Sequence, residues 1–254
     1  MKVIILGAAG NLGRRLVSRG LANGHDVTAF VRDRTRFEQA WGLPEPWPFK
    51  VVVGDATDST GLHQAILGHD ALVNAAGNVT EGESFASLVS AVVNVGEQAL
   101  PAPHRMWFLA GAALLNVPHT ERVGVALPGV PPIYRWHEVN WRRLERSRAD
   151  WSLMCPGPMI ASFPGLPRPD LRVSLDELPY PVGRWTRWVP GLVLALMMKA
   201  RLPELIVSYE DVAELLMSNL QSGGVTSRRR VGVALPEGER GFKHGWVPGQ
   251  RGTA

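Results

Sequence analysis

The stretch Lys2–Arg15, KVIILGAAGNLGRR, decides how the rest of the chain is read. Val3, Ile4, Ile5 and Leu6 form a continuous apolar run, the mark of a strand buried on both faces of a parallel sheet. Gly7, Gly10 and Gly13 follow as G-x-x-G-x-x-G, with Ala9, Asn11 and Leu12 between them. Gly7 permits a sharp exit from the strand. Gly10 has no Cβ to block a pyrophosphate approaching the backbone, and Gly13 lets a helix lie close to the strand. Free N–H groups at the helix start then face the phosphates, and the helix dipole favours their negative charge. A ligand-free βα turn would also use such glycines. The position directly after a strand and before an amphipathic run favours the dinucleotide reading.

Composition sets the outer limits. A chain of 254 residues with 45% hydrophobic content can bury a full core, and we expect one domain over residues 1–235. Residues 236–254 are Gly-rich and charged and are expected to form a poorly ordered tail. The net charge of +4 comes partly from Arg228, Arg229 and Arg230, which lack the aromatic interleaving of a nucleic-acid surface. Solvated charge is the expectation there, with no nucleic-acid partner. A single cysteine, Cys155, excludes an intramolecular disulfide and a Cys-based zinc site; within a predicted strand it reads as a small buried hydrophobe. A chain that opens directly on a strand leaves no room for a signal peptide. The apolar run Val189–Met198 contains Pro190 and Gly191 and is far shorter than the roughly 20 residues of a membrane span. The expectation is a cytoplasmic protein with no membrane partner.

Alternation of strands and helices continues along the chain. Leu12, Leu16, Val17 and Leu21 recur at helical spacing and stop near Asn23-Gly24. A second strand runs Asp26–Val31. At its end an NAD site often carries an acid for the ribose hydroxyls, but Val31 stands there and Arg32 follows. Arg32, with Arg34 and Arg36 close by, can pair with a 2′-phosphate, which favours NADP over NAD. A solvated helix start is the other reading of these arginines.

Pro44, Pro46 and Pro48 precede a third strand, Phe49–Val53. Gly54-Asp55 closes it, and Asp55, with Ala56 beside it, is placed to reach an adenine amino group or to cap the next helix, Ser59–Leu67. The fourth strand, Ala71–Asn74, ends on Ala75, Ala76 and Gly77, small residues where an open α/β sheet holds its ligand. A helix from Ser84 to Leu100, stopped by Pro101 and Pro103, leads to a fifth strand, His104–Ala110. Five such units make a right-handed, doubly wound parallel sheet.

These residues resemble an atypical short-chain dehydrogenase/reductase, the NAD(P)-binding group that includes nitrogen-repressor-like (NmrA-like) proteins and the flavin reductase/biliverdin reductase B type. The resemblance rests on G-A-A-G-N-L-G at Gly7–Gly13, V-R at Val31-Arg32, G-D at Gly54-Asp55 and N-A-A-G at Asn74–Gly77. Leu144–Gly157, LERSRADWSLMCPG, continues it. The implied architecture is a Rossmann-type sheet with a small C-terminal substrate lid.

The departures bear on chemistry. The resemblance implies a serine or threonine at the end of the fifth strand, where this chain has Leu109, Ala110 and Gly111. It also implies a tyrosine and lysine at i and i+4 on the next helix; those positions fall on Ile133 and His137, with Tyr134 one residue away. Tyr134 and His137 share helical ground and can serve as a rearranged proton-transfer pair. A loop anchor and a surface histidine are the other reading, and Asn116, His119 and Thr120 are alternative candidates.

Residues 158–204 carry many prolines and read as irregular lid structure, with Trp185, Trp188, Leu192, Leu194, Leu196 and Met197 as its apolar lining or as a protein contact. A strand is expected over Leu205–Val207, then a helix capped by Ser208, then a closing strand over Val231–Ala234. Two functions fit: an NADP-dependent oxidoreductase moving a hydride to or from a small carbonyl, quinone or flavin substrate, or a non-catalytic NADP-binding sensor acting through a protein partner. A non-redox isomerase or lyase has no feature of its own in the sequence.

Overall fold

The structure, a computed structural model, describes residues 1–42, 46–163 and 165–243. Pro44, Pro164 and the 244–254 part of the expected tail lie outside the described residues.

Strands β1 (Lys2–Leu6), β2 (Asp26–Val31), β3 (Lys50–Val53), β4 (Ala71–Asn74), β5 (Arg105–Leu109) and β6 (Asp150–Cys155) alternate with helices α1 (Asn11–Ala22), α2 (Arg34–Trp41), α3 (Ser59–Ile66), α4 (Glu83–Ala99) and α5 (Arg135–Glu145). The second half adds β7 (Met159–Ile160), β8 (Arg172–Leu175), α6 (Gly191–Arg201), β9 (Val207–Ser208), α7 (Tyr209–Met217) and β10 (Arg229–Ala234). The main sheet runs β3-β2-β1-β4-β5-β6-β10-β8, parallel throughout except for β8, which pairs antiparallel with β10 at the edge.

Side chains of β1 alternate between the two faces of this sheet. Ile4 and Leu6 join a core built with Leu62 and Ile66 of α3, Val92 of α4 and Leu144 of α5; Val3 and Ile5 join one built with Leu16 and Val17 of α1, Phe37 of α2 and Leu216 of α7. Both faces are therefore apolar, which explains why β1 reads as an unbroken hydrophobic run. A third, smaller cluster joins Val117 and Leu127, in the connection after β5, to Leu194 of α6.

Three expectations change. Residues 158–204 are more ordered than a lid of loops: β8 is the edge strand of the main sheet, and β7 pairs with β9 in a small second sheet. The first part of the expected tail is packed, since Glu239 pairs with Arg168 and the Gly241 N–H donates to the Pro203 carbonyl. The Arg228–Arg230 run is not simply solvated. Arg230 is buried over the Trp141 ring and donates to Leu114 O and Asn116 Oδ1, while Arg228 donates to three carbonyls around residues 145–149. Among the described residues, no helix is long and apolar enough to cross a membrane.

Candidate functional site

Strand order reverses between β1 and β4, whose carboxyl ends are held together by the Ala75 N–H donating to the Leu6 carbonyl. That reversal opens a crevice in a doubly wound sheet. The glycine turn sits over it. Gly7 adopts φ +77°, and a Cβ there would come within 2.7 Å of the Ala75 backbone. A Cβ on Gly13 would meet the Gly7 carbonyl oxygen at 2.1 Å, so only glycine lets α1 lie this close to the turn. Gly10 is different: its φ is ordinary, and an added Cβ would meet only the Gly7 oxygen at 3.3 Å. The space over Gly10 is open, as a cradle for phosphate requires.

No side chain caps α1, and its first turn carries no acid. The N–H groups of Asn11, Leu12 and Gly13 precede the first i to i−4 bond, from Arg14 to Gly10, and have no backbone partner. Ala9 packs partly buried against the α1 core. Asn11 is held by Arg14, whose guanidinium donates to its Oδ1 at 3.0 Å and also to the carbonyl of Ala40 in α2. This clamp between α1 and α2 was not foreseen from sequence; the G-R-R ending of the motif was its only local signal.

At the neighbouring strand ends, Arg32 follows β2 exposed, just before Asp33 caps α2. Arg34 and Arg36 belong to that helix start, Arg34 pairing with Glu38. Asp55 follows β3 and accepts hydrogen bonds from the N–H and hydroxyl of Thr57, which lower its carboxyl pKa, with a smaller contribution from the charge of Arg32. The cap of α3 is Asp58, not Asp55, so that alternative for Asp55 falls away. Ala56 is buried behind it. Asn74 turns its Oδ1 back onto the Ala76 N–H, and Gly77, at φ +90°, leaves room for Phe85 and Leu88. Gly7–Gly13, Arg32, Asp55-Ala56 and Asn74–Gly77 thus lie along one edge of the sheet.

Further along that edge stands His137. It lies in the first turn of α5, only 7% exposed, with Tyr134 at the helix N-cap. Their rings stack nearly parallel, centroids 6.3 Å apart, and Phe85 meets the imidazole edge-on from α4. Burial lowers the His137 pKa to about 4, and its Nδ1 has no hydrogen-bond partner among the described residues. His137 is thus neutral at pH 7. It belongs to the inward stripe His137–Trp141–Leu144, a spacing that could have marked it as buried. Asn140, on the same side and also buried, leaves its Nδ2 unpaired and was not foreseen.

The alternative candidates are already engaged. His119 Nε2 contacts the Val182 carbonyl, Thr120 donates to Val117 O, and Asn116 accepts from Arg230. Cys155 is fully buried, and burial raises its thiol pKa far out of the reactive range. A separate concavity of about 580 Å³ flanks α1 and α7; of its lining charges Arg15 pairs with Glu210 and Arg19 with Glu214, while Arg14 is held by Asn11 and the Ala40 carbonyl.

Sheet order, glycine turn and uncapped helix define a Rossmann-type dinucleotide-binding protein. Residues 7–164 match the NAD(P)H-binding family, and the chain belongs to it. Residue for residue, 78 positions are 32% identical to an uncharacterized protein of Mycobacterium tuberculosis; they span 30% of this chain and 8% of that much longer relative. Solved structures share the whole fold. A Rossmann-fold NAD(P)-binding family protein from Shigella flexneri is 16% identical, covers 97% of this chain and 98% of its own, and superposes with a TM-score of 0.65. A wide-type short-chain dehydrogenase/reductase from Veillonella parvula, solved with NADP, is also 16% identical, with coverage of 93% and 95% and a TM-score of 0.63.

Proposed function

We propose that the chain is an NADP-dependent oxidoreductase acting on a small organic substrate of carbonyl, quinone or flavin type. The observation that carries this reading is the uncapped α1 N-terminus over Gly10, opening on the strand-end crevice with Arg32 at the adjacent corner. Backbone N–H groups of Asn11, Leu12 and Gly13 would hold the pyrophosphate, Arg32 the 2′-phosphate, and Asp55 the adenine amino group. Asn74–Gly77 would floor the crevice toward the nicotinamide. The cofactor supplies the hydride chemistry, and the protein supplies orientation and exclusion of water.

For proton handling, the neutral His137 cannot replace the positive charge of a lysine. It can donate or accept a hydrogen bond through one tautomer, with Tyr134 stacked beside it as the hydroxyl source. Quinones and flavins need less proton assistance than ketones, which suits Leu109-Ala110-Gly111 at the end of β5. Among lid residues, the side of α6 bearing Leu194 and Met198 packs toward the connection after β5.

A cofactor-binding sensor is the second reading, favoured by that missing hydroxyl and by the lack of any hydrogen bond between Tyr134 and His137. Mixing the purified chain with NADPH and a panel of carbonyls, quinones and flavins separates the two. Turnover with any of them, slowed in Tyr134→Phe or His137→Ala, supports the enzyme. Tight NADPH binding with no turnover supports the sensor.

A further inference from the structure

The segment 184–201 turns an apolar, cation-rimmed face to solvent. In α6, Leu192, Val193 and Leu196 fall within an arc of about 100° opposite Leu194, given about 100° per residue. Leu194 is 1% exposed in its cluster with Val117 and Leu127, whereas Leu192 is 61% and Leu196 59% exposed. The preceding short helical turn, Arg184–Trp188, is anchored by the Thr186 hydroxyl donating to the Pro118 carbonyl. That anchor leaves Trp185 and Trp188 outside, Trp188 at 78% exposure with Arg187 over its ring. Five exposed large apolar side chains within twelve residues of sequence mark an interaction site.

Charge selects the occupant. Residues 184–201 contain no Asp or Glu, and residues 188–198 contain no ionisable side chain. Around them stand Arg184, Arg187 and Lys199, all exposed and without an acidic partner among the described residues. Two more exposed arginines reach in from other elements: Arg122 donates to the Val189 carbonyl and Arg240 to the Ala200 carbonyl. A second copy meeting this face about a two-fold axis would bring its own arginines against these. Tryptophan, aliphatic side chains and a basic rim are instead the composition that settles into the headgroup layer of an anionic bilayer.

We propose that the outward face of residues 184–201 docks on an anionic lipid surface. The eleven residues of α6 are too few to span, so the chain would rest on the bilayer without crossing it. This departs from the sequence-based expectation of no membrane partner, which considered spanning alone. It does not depend on the cofactor or the reaction.

The test is co-sedimentation of the full chain with vesicles of phosphatidylcholine, with and without phosphatidylglycerol. Binding should require phosphatidylglycerol and weaken as salt is raised. The variant Trp185→Ser/Trp188→Ser/Leu192→Ser should bind about tenfold less, or weaker still, with unchanged melting temperature, since these side chains face solvent. Arg184→Glu/Arg187→Glu should lose the preference for anionic vesicles. No sedimentation of the wild-type chain with phosphatidylglycerol vesicles overturns the proposal. So does a dimer in analytical ultracentrifugation that the triple variant dissociates, which would assign the face to a second copy. If the triple variant fails to fold, undiminished vesicle binding by the charge-reversed pair overturns it alone.

Discussion

The imidazole of His137 lies against the backbone of Gly111, so close that a Cβ on residue 111 would stand 3.3 Å from Nε2. The two residues come from opposite sides of one corner: Gly111 follows the carboxyl end of β5, and His137 enters from the first turn of α5. A side chain on residue 111 and an imidazole at this depth compete for the same space. The missing side chain at residue 111 and the buried histidine are therefore one arrangement, and the imidazole at this corner is an uncharged ring at pH 7.

That arrangement makes folding sensitive to acid. Burial lowers the His137 pKa in the folded chain to about 4, below the ordinary 6.5. Above pH 6.5 both states are neutral and the group costs nothing. As pH falls from 6.5 toward 4 the unfolded chain takes up the proton and the folded chain does not, so stability is lost across that window. At about 1.4 kcal/mol per pKa unit the full loss is on the order of 3 kcal/mol. Urea unfolding at pH 5 and pH 7.5 should show roughly 2 kcal/mol more acid loss in wild type than in His137→Gln. Identical pH slopes would mean that His137 is accessible to protons in the folded protein.

The three glycines of the turn should separate by substitution. Gly13→Ala drives a Cβ to 2.1 Å from the Gly7 oxygen and should cost several kcal/mol, on the scale of about 1–3 or more for overpacking. Gly10→Ala meets nothing closer than 3.3 Å and should cost about 1 kcal/mol or less. Its effect should fall on the ligand: calorimetric NADPH affinity should drop about tenfold or more, since the methyl projects into the cradle. A Gly10→Ala protein with full affinity would remove the phosphate from this turn.

The proposed preference for NADPH rests on Arg32. Its guanidinium stands exposed after β2, with the Asp55 carboxylate as a charged neighbour rather than a bonded partner. Arg32→Ala should weaken NADPH about tenfold, the scale of a charge-assisted pair, and leave NADH within about twofold. Equal losses for the two cofactors would show that Arg32 does not read the phosphate.

How far the sequence led depends on the range of each interaction. Strands β2 and β4 and the Ser208 cap lie where local pattern put them, because buried alternation and capping are decided by adjacent residues. The strand-end residues from Gly7 to Gly77 fall along one edge for the same reason: each closes a parallel strand. Arg230 could not be read, since its burial depends on Trp141 and Asn116, far away in the chain. Strand β8 is only four residues, and its partner β10 follows more than fifty residues later. In α6 every residue from Leu192 to Met198 is apolar, so no periodicity told the inward face from the outward one.

Arg105 shows what a charge costs inside this fold. It begins β5, at the sheet edge opposite the glycine turn, and is 1% exposed. Every arm of its guanidinium is used: Nε donates to Leu220 O, Nη1 to Ser152 Oγ and Asp150, and Nη2 to Asn219 O and Thr226 Oγ1. Desolvation lowers its pKa, and the Asp150 carboxylate opposes that shift. Arg105→Met keeps the stem but takes a donor from the Asp150 carboxylate and from the Leu220, Asp150 and Asn219 carbonyls, of which Asn219 keeps its bond from Trp107 Nε1. Asp150 retains bonds from the Gly223 N–H and the Ser227 hydroxyl, so the loss should sit near the usual cost of breaking a buried pair, about 3–5 kcal/mol. Because the cluster lies at the far end of the strands, the folded fraction of Arg105→Met should bind NADPH as wild type does. Denaturant midpoints with parallel titrations check both halves. A loss below about 1 kcal/mol would mean that water replaces the guanidinium at this edge.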